Sequence, residues 1–367
     1  MGLDLLLDRL GEPATAIAGG LAIGLLFGAA AQRSHFCLRS AVIEFSEGRL
    51  GPKTAIWLAA FGAAVAFTQL LVLLGAADLG QARQLAPRAS LSGAVLGGLL
   101  VGAGMILTRG CPSRLLVLSA TGNLRALLSG LVFAVVAQAS LRGALAPLRE
   151  ELARLWVLEG AERTDLLAFF GLDHRAGAAL GLACLAFALL LVARRRIGAR
   201  TWFGGIGVGA AVAAAWWFTS ALAARSFEPV TIKGISFSGP SADLLMLVLA
   251  PATQSPDFDL GLLPGVFLGS FLAAWLGREL ALRGFEGGAS VGRYLAGAAM
   301  MGFGAMLAGG CAVGAGVSGG AVFATTAWLA LGSMWVGASL AHRLVDREPA
   351  RLWRPLANGR DARASIA

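Results

Sequence analysis

Long apolar runs dominate the chain, and short polar connections separate them. Nine of these runs are close to the length of about 20 residues that a helix needs to cross the hydrocarbon core of a bilayer. They cover residues 14–32, 54–75, 89–108, 125–146, 174–193, 201–222, 261–281, 290–308 and 322–342. The pattern therefore predicts an all-α polytopic membrane protein with about nine transmembrane helices.

Three apolar pieces between these runs are too short or too rich in glycine to span a bilayer. They cover residues 111–120, 240–251 and 311–320. Such segments are tolerated at membrane depth when they are buried in protein or line a cavity. We therefore expect them to form short re-entrant helices, which enter and leave the membrane on the same side.

The composition agrees with the membrane class. Of the 367 residues, 57% are hydrophobic and only 14% are charged, and the mean hydropathy is +0.74. The 51 glycines suit helices whose backbones pack closely in lipid. A formal net charge of +9 would suggest a nucleic-acid partner for a soluble protein, but here the arginines cluster between apolar runs. We therefore expect the bilayer, and no nucleic acid, as the partner.

The charges of the connections predict the orientation of the chain. The basic connections cover residues 32–53, 193–200 and 277–293 and the C-terminal tail, whereas the N-terminus and residues 147–173 and 223–260 are mixed or acidic. With nine spans, these two groups fall on opposite sides of the membrane. The positive-inside rule then places the N-terminus outside and the C-terminus in the cytoplasm of a bacterial inner-membrane protein.

The sequence contains a weak internal repeat. A shift of 200 residues aligns Gly102, Gly104, Leu107, Gly110 and Cys111 with Gly302, Gly304, Leu307, Gly310 and Cys311. A shift of 201 residues places Cys37 opposite Ser238. We therefore predict two inverted transmembrane repeats, residues 1–146 and 201–343, with a linker and linker helix at 147–200 and a polar cytoplasmic tail at 344–367.

Cys111 and Cys311 each follow a glycine at the end of a long apolar run, in "LTRGCPS" and "LAGGCAV". If each begins a re-entrant helix, its unpaired N–H groups and the positive end of its dipole favour an anion. Gly110, Gly309 and Gly310 would let the backbone approach that ligand, and a thiol suits a sulfur-containing solute. We expect the two cysteines to face the middle of the membrane from opposite sides.

The other candidate residues leave alternatives open. Arg109, together with Arg114, either raises the local anion concentration or lies among the lipid headgroups. Cys37 either faces the path or belongs to an ordinary basic end of the first span. Cys184 is expected to be a packing residue and His35 an interfacial one. The sequence has no CxxC motif, so no metal or cofactor is expected.

The motifs "QRSHFC", "GMILTRGCPSR" and "GAMLAGGCAVGAGVSGG" resemble those of the YeeE/YedE family, over residues 14–343. The resemblance implies an hourglass-shaped transporter with inverted halves that takes up thiosulfate. It also implies that Cys37, Cys111 and Cys311 pass the anion along without covalent chemistry. By the internal repeat, Ser238 occupies the fourth position in place of a cysteine. Any cytoplasmic TusA-like sulfurtransferase would be a separate partner.

Two alternatives stay open beside thiosulfate uptake. Related members of the family have been linked to selenium or other sulfur compounds, so the solute is not fixed by the motifs. A membrane thiol enzyme, such as a sulfurtransferase with a persulfide on Cys37 or Cys111, would use thiols of low pKa near arginine or a helix N-terminus. We expect a transporter rather than an enzyme.

Overall fold

The computed structural model describes residues 2–226, 229–249, 257–284 and 288–345, and in these ranges the chain is mostly helical with very little strand. The first eight helices are α1 Gly2–Leu10, α2 Glu12–Ser34, α3 Leu38–Ser46, α4 Pro52–Leu73, α5 Leu91–Leu107, α6 Pro112–Ala120, α7 Leu124–Arg142 and α8 Ala146–Arg154. The others are α9 Ala161–Thr164, α10 Leu166–Phe169, α11 His174–Arg194, α12 Ala199–Ala223, α13 Ser238–Leu249, α14 Phe258–Gly277, α15 Gly288–Leu307 and α16 Thr325–Val345.

Three smaller elements complete the described part of the chain. A 3₁₀ turn covers Arg83–Leu85, and a π-helix covers Ala312–Gly319 between α15 and α16. Strand β1, Arg88–Ser90, pairs in antiparallel register with β2, Val157–Glu159. This two-stranded ribbon joins the connection before α5 to the connection between α8 and α9.

Each of the nine predicted runs forms a helix. Among the described residues, eight helical stretches are long and apolar enough to cross a membrane. The ninth run forms α16, which is 21 residues long but is not among the eight, because threonines begin it and His342 and Arg343 lie in its last turn. It nevertheless packs along α5. The prediction of an all-α polytopic membrane protein is confirmed.

Helices α2 and α14 pack closely against each other, and glycine makes their approach possible. Both carry glycine at every fourth position, at Gly20, Gly24 and Gly28 in α2 and at Gly261, Gly265 and Gly269 in α14. A Cβ atom at any of these positions would collide with a backbone carbonyl of the opposite helix. Small residues at this spacing are typical of membrane helices that associate through close backbone contact.

The helix contacts follow a two-fold pattern. The pair α2 and α14 corresponds to α12 and α4, and the pair α5 and α16 corresponds to α15 and α7. Helices α5 and α15 pack on each other, as do α2 and α12. The short helices follow the same two-fold correspondence. Helix α3 packs on α4 as α13 packs on α14, and α6 packs on α7 as the π-helix packs on α16.

The short apolar pieces fold as short helices. Residues 111–120 form α6, residues 311–320 form the π-helix, and residues 240–251 fall in α13, except for 250 and 251, which lie outside the described residues. Helix α3 was not foreseen, because its sequence follows basic residues and continues an apparent connection. Of the predicted tail, residues 346–367 lie outside the described residues.

Candidate functional site

Cys37 lies in a break between α2 and α3. His35 adopts a left-handed conformation with φ 51°, and the end of α2 is closed by N–H donation to the carbonyls of Ala31 and Gln32. Cys37 itself is extended, with φ −163° and ψ 118°, and α3 begins at the next residue. Its side chain is only 7% exposed. The thiol therefore lies inside the bundle at the N-terminal end of a short helix.

Cys111 lies in the corresponding break between α5 and α6. The hydroxyl of Thr108 lies 2.8 Å from the carbonyl oxygen of Gly110, and Arg109 adopts a left-handed conformation with φ 58°. Cys111 is extended and fully buried, and Pro112 occupies the first turn of α6. Proline is favoured there because its fixed φ suits a helix start and its missing N–H would have no partner.

The structure brings Cys37 and Cys111 together. Their thiols are close enough to interact through a hydrogen bond, and Ser113 Oγ lies 3.3 Å from Cys111 Sγ. The backbone amides of Ser40 and Arg114, in the first turns of α3 and α6, lie beside the two sulfurs. Two helix N-termini, with their partial positive charge, therefore converge on one pair of buried thiols.

Cys311 occupies the equivalent break between α15 and the π-helix. Gly309 is left-handed with φ 76°, as Arg109 is in the first half, and Cys311 is fully buried. A Cβ atom on Gly310 would lie 2.6 Å from the backbone nitrogen of Ala315, so this position requires glycine. Gly110 is less constrained, because the nearest atom to its Cβ would belong to a flexible leucine side chain at 3.3 Å.

Ser238, the repeat mate of Cys37, is the first residue of α13 and is buried. Its Oγ lies 3.3 Å from the Oγ of Ser236, and Ser236 in turn lies against Gly314 of the π-helix. Ser318 Oγ, at the far end of the π-helix, donates to the carbonyl of Ile235 at 2.7 Å. The segment that leads to Ser238 thus runs along the π-helix that Cys311 begins.

The two halves of the site are in contact through their short helices. Helix α6 touches the π-helix. Helix α6 also packs on α2, the span before Cys37, and the π-helix packs on α12, the span before Ser238. The buried cysteines Cys37, Cys111 and Cys311 each lie directly before one of the short helices α3, α6 and the π-helix.

Arg109, a candidate supporting residue, and Cys184, the expected packing residue, do not lie beside the three buried thiols. Arg109 is exposed in its left-handed turn, and it is Arg114 whose charge acts on Cys37 and Cys111. Cys184 lies half-buried on α11, with Sγ 3.7 Å from the carbonyl oxygen of Leu58, as expected of a packing residue. Sequence reasoning could not separate the two arginines, because only the fold shows which one lies in the first turn of α6.

A cavity of about 170 Å³ lies beside Gly309 and was not foreseen from the sequence. Arg83, Gln84 and Arg88 line it together with the turn that precedes Cys311. Among the described residues, the buried Oε1 atom of Gln84 has no hydrogen-bond partner. The cavity therefore offers positive charge next to the start of the π-helix.

A buried ion-pair cluster fixes the segment that leads to Ser238. Lys233 Nζ lies 2.6 Å from Asp257 Oδ2 and 2.6 Å from Asp259 Oδ2. Thr219 Oγ1 bonds the backbone of Lys233 on both sides, at 2.9 Å to the carbonyl and 3.2 Å to the N–H. Burial alone would lower the pKa of Lys233, but the charges of Asp259 and Asp257 outweigh it and raise that pKa. The lysine is therefore charged at neutral pH.

Comparison with known proteins gives the chain a family. A family model described as sulphur transport matches residues 33–340. A thiosulfate transporter TsuA of Spirochaeta thermophila is 30% identical over 330 residues, which is 85% of this chain and 93% of that protein. A thiosulfate transporter TsuA of Escherichia coli is 33% identical over 118 residues, 32% of this chain and 33% of that protein.

These matches confirm the resemblance to the YeeE/YedE family and the expectation of a transporter rather than an enzyme. The family model covers the described helices from the end of α2 to α16, which include all three buried cysteines. The chain is a multi-pass membrane protein that belongs to the sulphur-transport family.

Proposed function

We propose that this protein takes up thiosulfate, or a similar sulfur-containing anion, along a central path lined by the thiols of Cys37, Cys111 and Cys311. The observation that carries the proposal is that each of these buried cysteines immediately precedes a short helix. Two of the thiols lie close enough to interact, and the third occupies the equivalent break of the other half. The names of the two relatives support thiosulfate as the solute.

The chemistry of these positions suits a sulfur oxyanion. The N-terminal N–H groups and the helix dipole favour negative charge. A thiol is a weak donor and a polarizable partner, so it contacts sulfur well and holds a hard, strongly hydrated ion poorly. A permeant solute must be bound firmly enough to enter and loosely enough to leave, and several weak sites in series meet both demands.

We propose that the short helices are re-entrant parts of two inverted repeats. The repeats are residues 1–146 and 201–343, and residues 147–200 join them. The two-fold pattern of helix contacts and the matching breaks at Cys111 and Cys311 support this division. Broken helices that meet near the middle of the membrane are a common way to build a substrate path.

The proposed direction of uptake is into the cytoplasm of a bacterium, across the inner membrane. The basic connections support a cytoplasmic C-terminus and an external N-terminus. In this orientation α6 approaches the centre from the cytoplasmic side and the π-helix from outside. A separate cytoplasmic sulfurtransferase of the TusA type would then be placed to receive the imported sulfur.

Uptake of labelled thiosulfate by bacterial cells that lack other sulfate and thiosulfate systems tests this function. Cells that produce the protein should accumulate label, and excess unlabelled thiosulfate should prevent this while excess sulfate should not. Uptake no faster than in cells with an empty vector would overturn the proposal. Competition by unlabelled selenium or other sulfur compounds, but not by thiosulfate, would assign a different solute to the same path.

A further inference from the structure

The two breaks differ in charge, although their backbones correspond. Three residues after Cys111 the chain has Arg114, whereas three residues after Cys311 it has Gly314. The π-helix Ala312–Gly319 contains no ionisable residue at all in its sequence. The thiol pair therefore has an arginine in its own helix, and the thiol of the other half does not.

The guanidinium of Arg114 is held between the protein surface and the thiols. Its Nη2 atom lies 3.5 Å from His35 Nδ1, and an arginine can only donate, so this ring nitrogen is the acceptor. Within the described part of the chain, the buried Nη1 atom has no hydrogen-bond partner. A buried N–H group without an acceptor is unfavourable, and an anion would supply the missing acceptor.

The charges around Arg114 do not neutralise it in a fixed ion pair. The interacting groups are Cys37, Cys111 and the carboxylate of Glu279. Glu279 Oε2, however, already accepts a hydrogen bond from Gln32 Nε2 at 2.6 Å. No salt bridge of Arg114 with a carboxylate occurs among the described residues. Its positive charge therefore stays available to interact with the thiols of Cys37 and Cys111.

We propose that Arg114 binds the oxygen atoms of the transported sulfur oxyanion while the sulfur of that anion lies at the thiols of Cys37 and Cys111. The inference rests on the proposed function and identifies the group that compensates the charge of the solute. A guanidinium suits this role because its parallel N–H groups match the oxygens of a tetrahedral anion. Thiosulfate, a dianion, presents both features, a terminal sulfur and three oxygens that share its negative charge, to the two sides of one site.

Transport by the purified full-length protein in liposomes tests the role of Arg114. For Arg114→Gln we expect the KM for thiosulfate to rise by about tenfold or more. For Arg114→Lys, which keeps the positive charge but loses the planar guanidinium with its parallel N–H groups, we expect an intermediate KM. Arg195→Gln removes an exposed arginine at the end of α11 and should leave the KM unchanged. An unchanged KM for Arg114→Gln would overturn the inference.

A second readout reports the local charge and does not depend on transport. In a Cys184→Ala, Cys311→Ala background, anionic and cationic methanethiosulfonate reagents of equal size compete for Cys37 and Cys111. Arg114→Gln should lower the ratio of anionic to cationic modification by about tenfold, and Arg114→Lys should not. An unchanged ratio would contradict the inference even if transport were lost through misfolding. Failure of the wild type to transport thiosulfate would instead contradict the proposed function.

Discussion

The thiols of Cys37 and Cys111 lie close enough to interact, although helices α3, α4 and α5 separate them in sequence. Each lies in the break before a short helix, so the contact brings the N-termini of α3 and α6 to one point. This relationship gives the first half of the protein a paired-thiol site. The second half has Cys311 and Ser238 in the equivalent positions.

Oxidative crosslinking tests the contact directly. In a Cys184→Ala, Cys311→Ala background, copper phenanthroline should join Cys37 and Cys111 as a disulfide, because the two side chains lie close enough to interact. Mass spectrometry of the peptides should show the bond, and labelling with a polymer-tagged maleimide should show the loss of both thiols. A variant that keeps only Cys111 and Cys184 is the control and should not crosslink. Two thiols that stay free in the first background would contradict the geometry.

Alanine substitutions should distinguish the two glycines that precede the path cysteines. Gly310→Ala places a Cβ against the backbone of the π-helix and should reduce the free energy of unfolding by about 1–3 kcal/mol. Gly110→Ala meets only the flexible end of Leu115 and should cost much less. Thermal unfolding in detergent measures both. Equal losses of stability would show that the two breaks are packed alike.

The cluster around Lys233 should stabilise the protein. Lys233→Met leaves Asp257 and Asp259 without their shared cation and should cost about 3 kcal/mol, near the lower end for a buried pair because Asp257 is 45% exposed. The matched control is Arg88→Met, which breaks the exposed pair with Glu159 and should cost less than about 1 kcal/mol. Unfolding of both variants by denaturant gives the comparison. A Lys233→Met protein as stable as the Arg88→Met protein would exclude this role.

The fold and two of the helix breaks were predictable from the sequence because local residues encode them. Apolar runs of spanning length define the long helices, and glycine before Cys111 and Cys311 marks where two of them end. The break at Cys37 was harder to foresee, because a left-handed histidine produces it and histidine carries no such signal. The sequence therefore does not distinguish helix α3 from the connection in which it lies.

Contacts between distant segments account for what the sequence did not show. Arg109 and Arg114 look alike in a basic stretch, but a left-handed turn leaves the first exposed while the first turn of α6 directs the charge of the second to the thiols. Lys233 likewise lies in a connection of mixed charge, and only the packing of α14 beside it reveals its two carboxylate partners.

The central claim is that the solute passes the buried thiols, and uptake by a Cys111→Ala, Cys311→Ala double variant tests it most directly. Labelled thiosulfate uptake should fall by at least about tenfold, because one thiol is lost from each half of the path. Cys184→Ala should transport at the wild-type rate, and equal amounts of each protein in the membrane make the rates comparable. Uptake at the wild-type rate by the double variant would contradict the account.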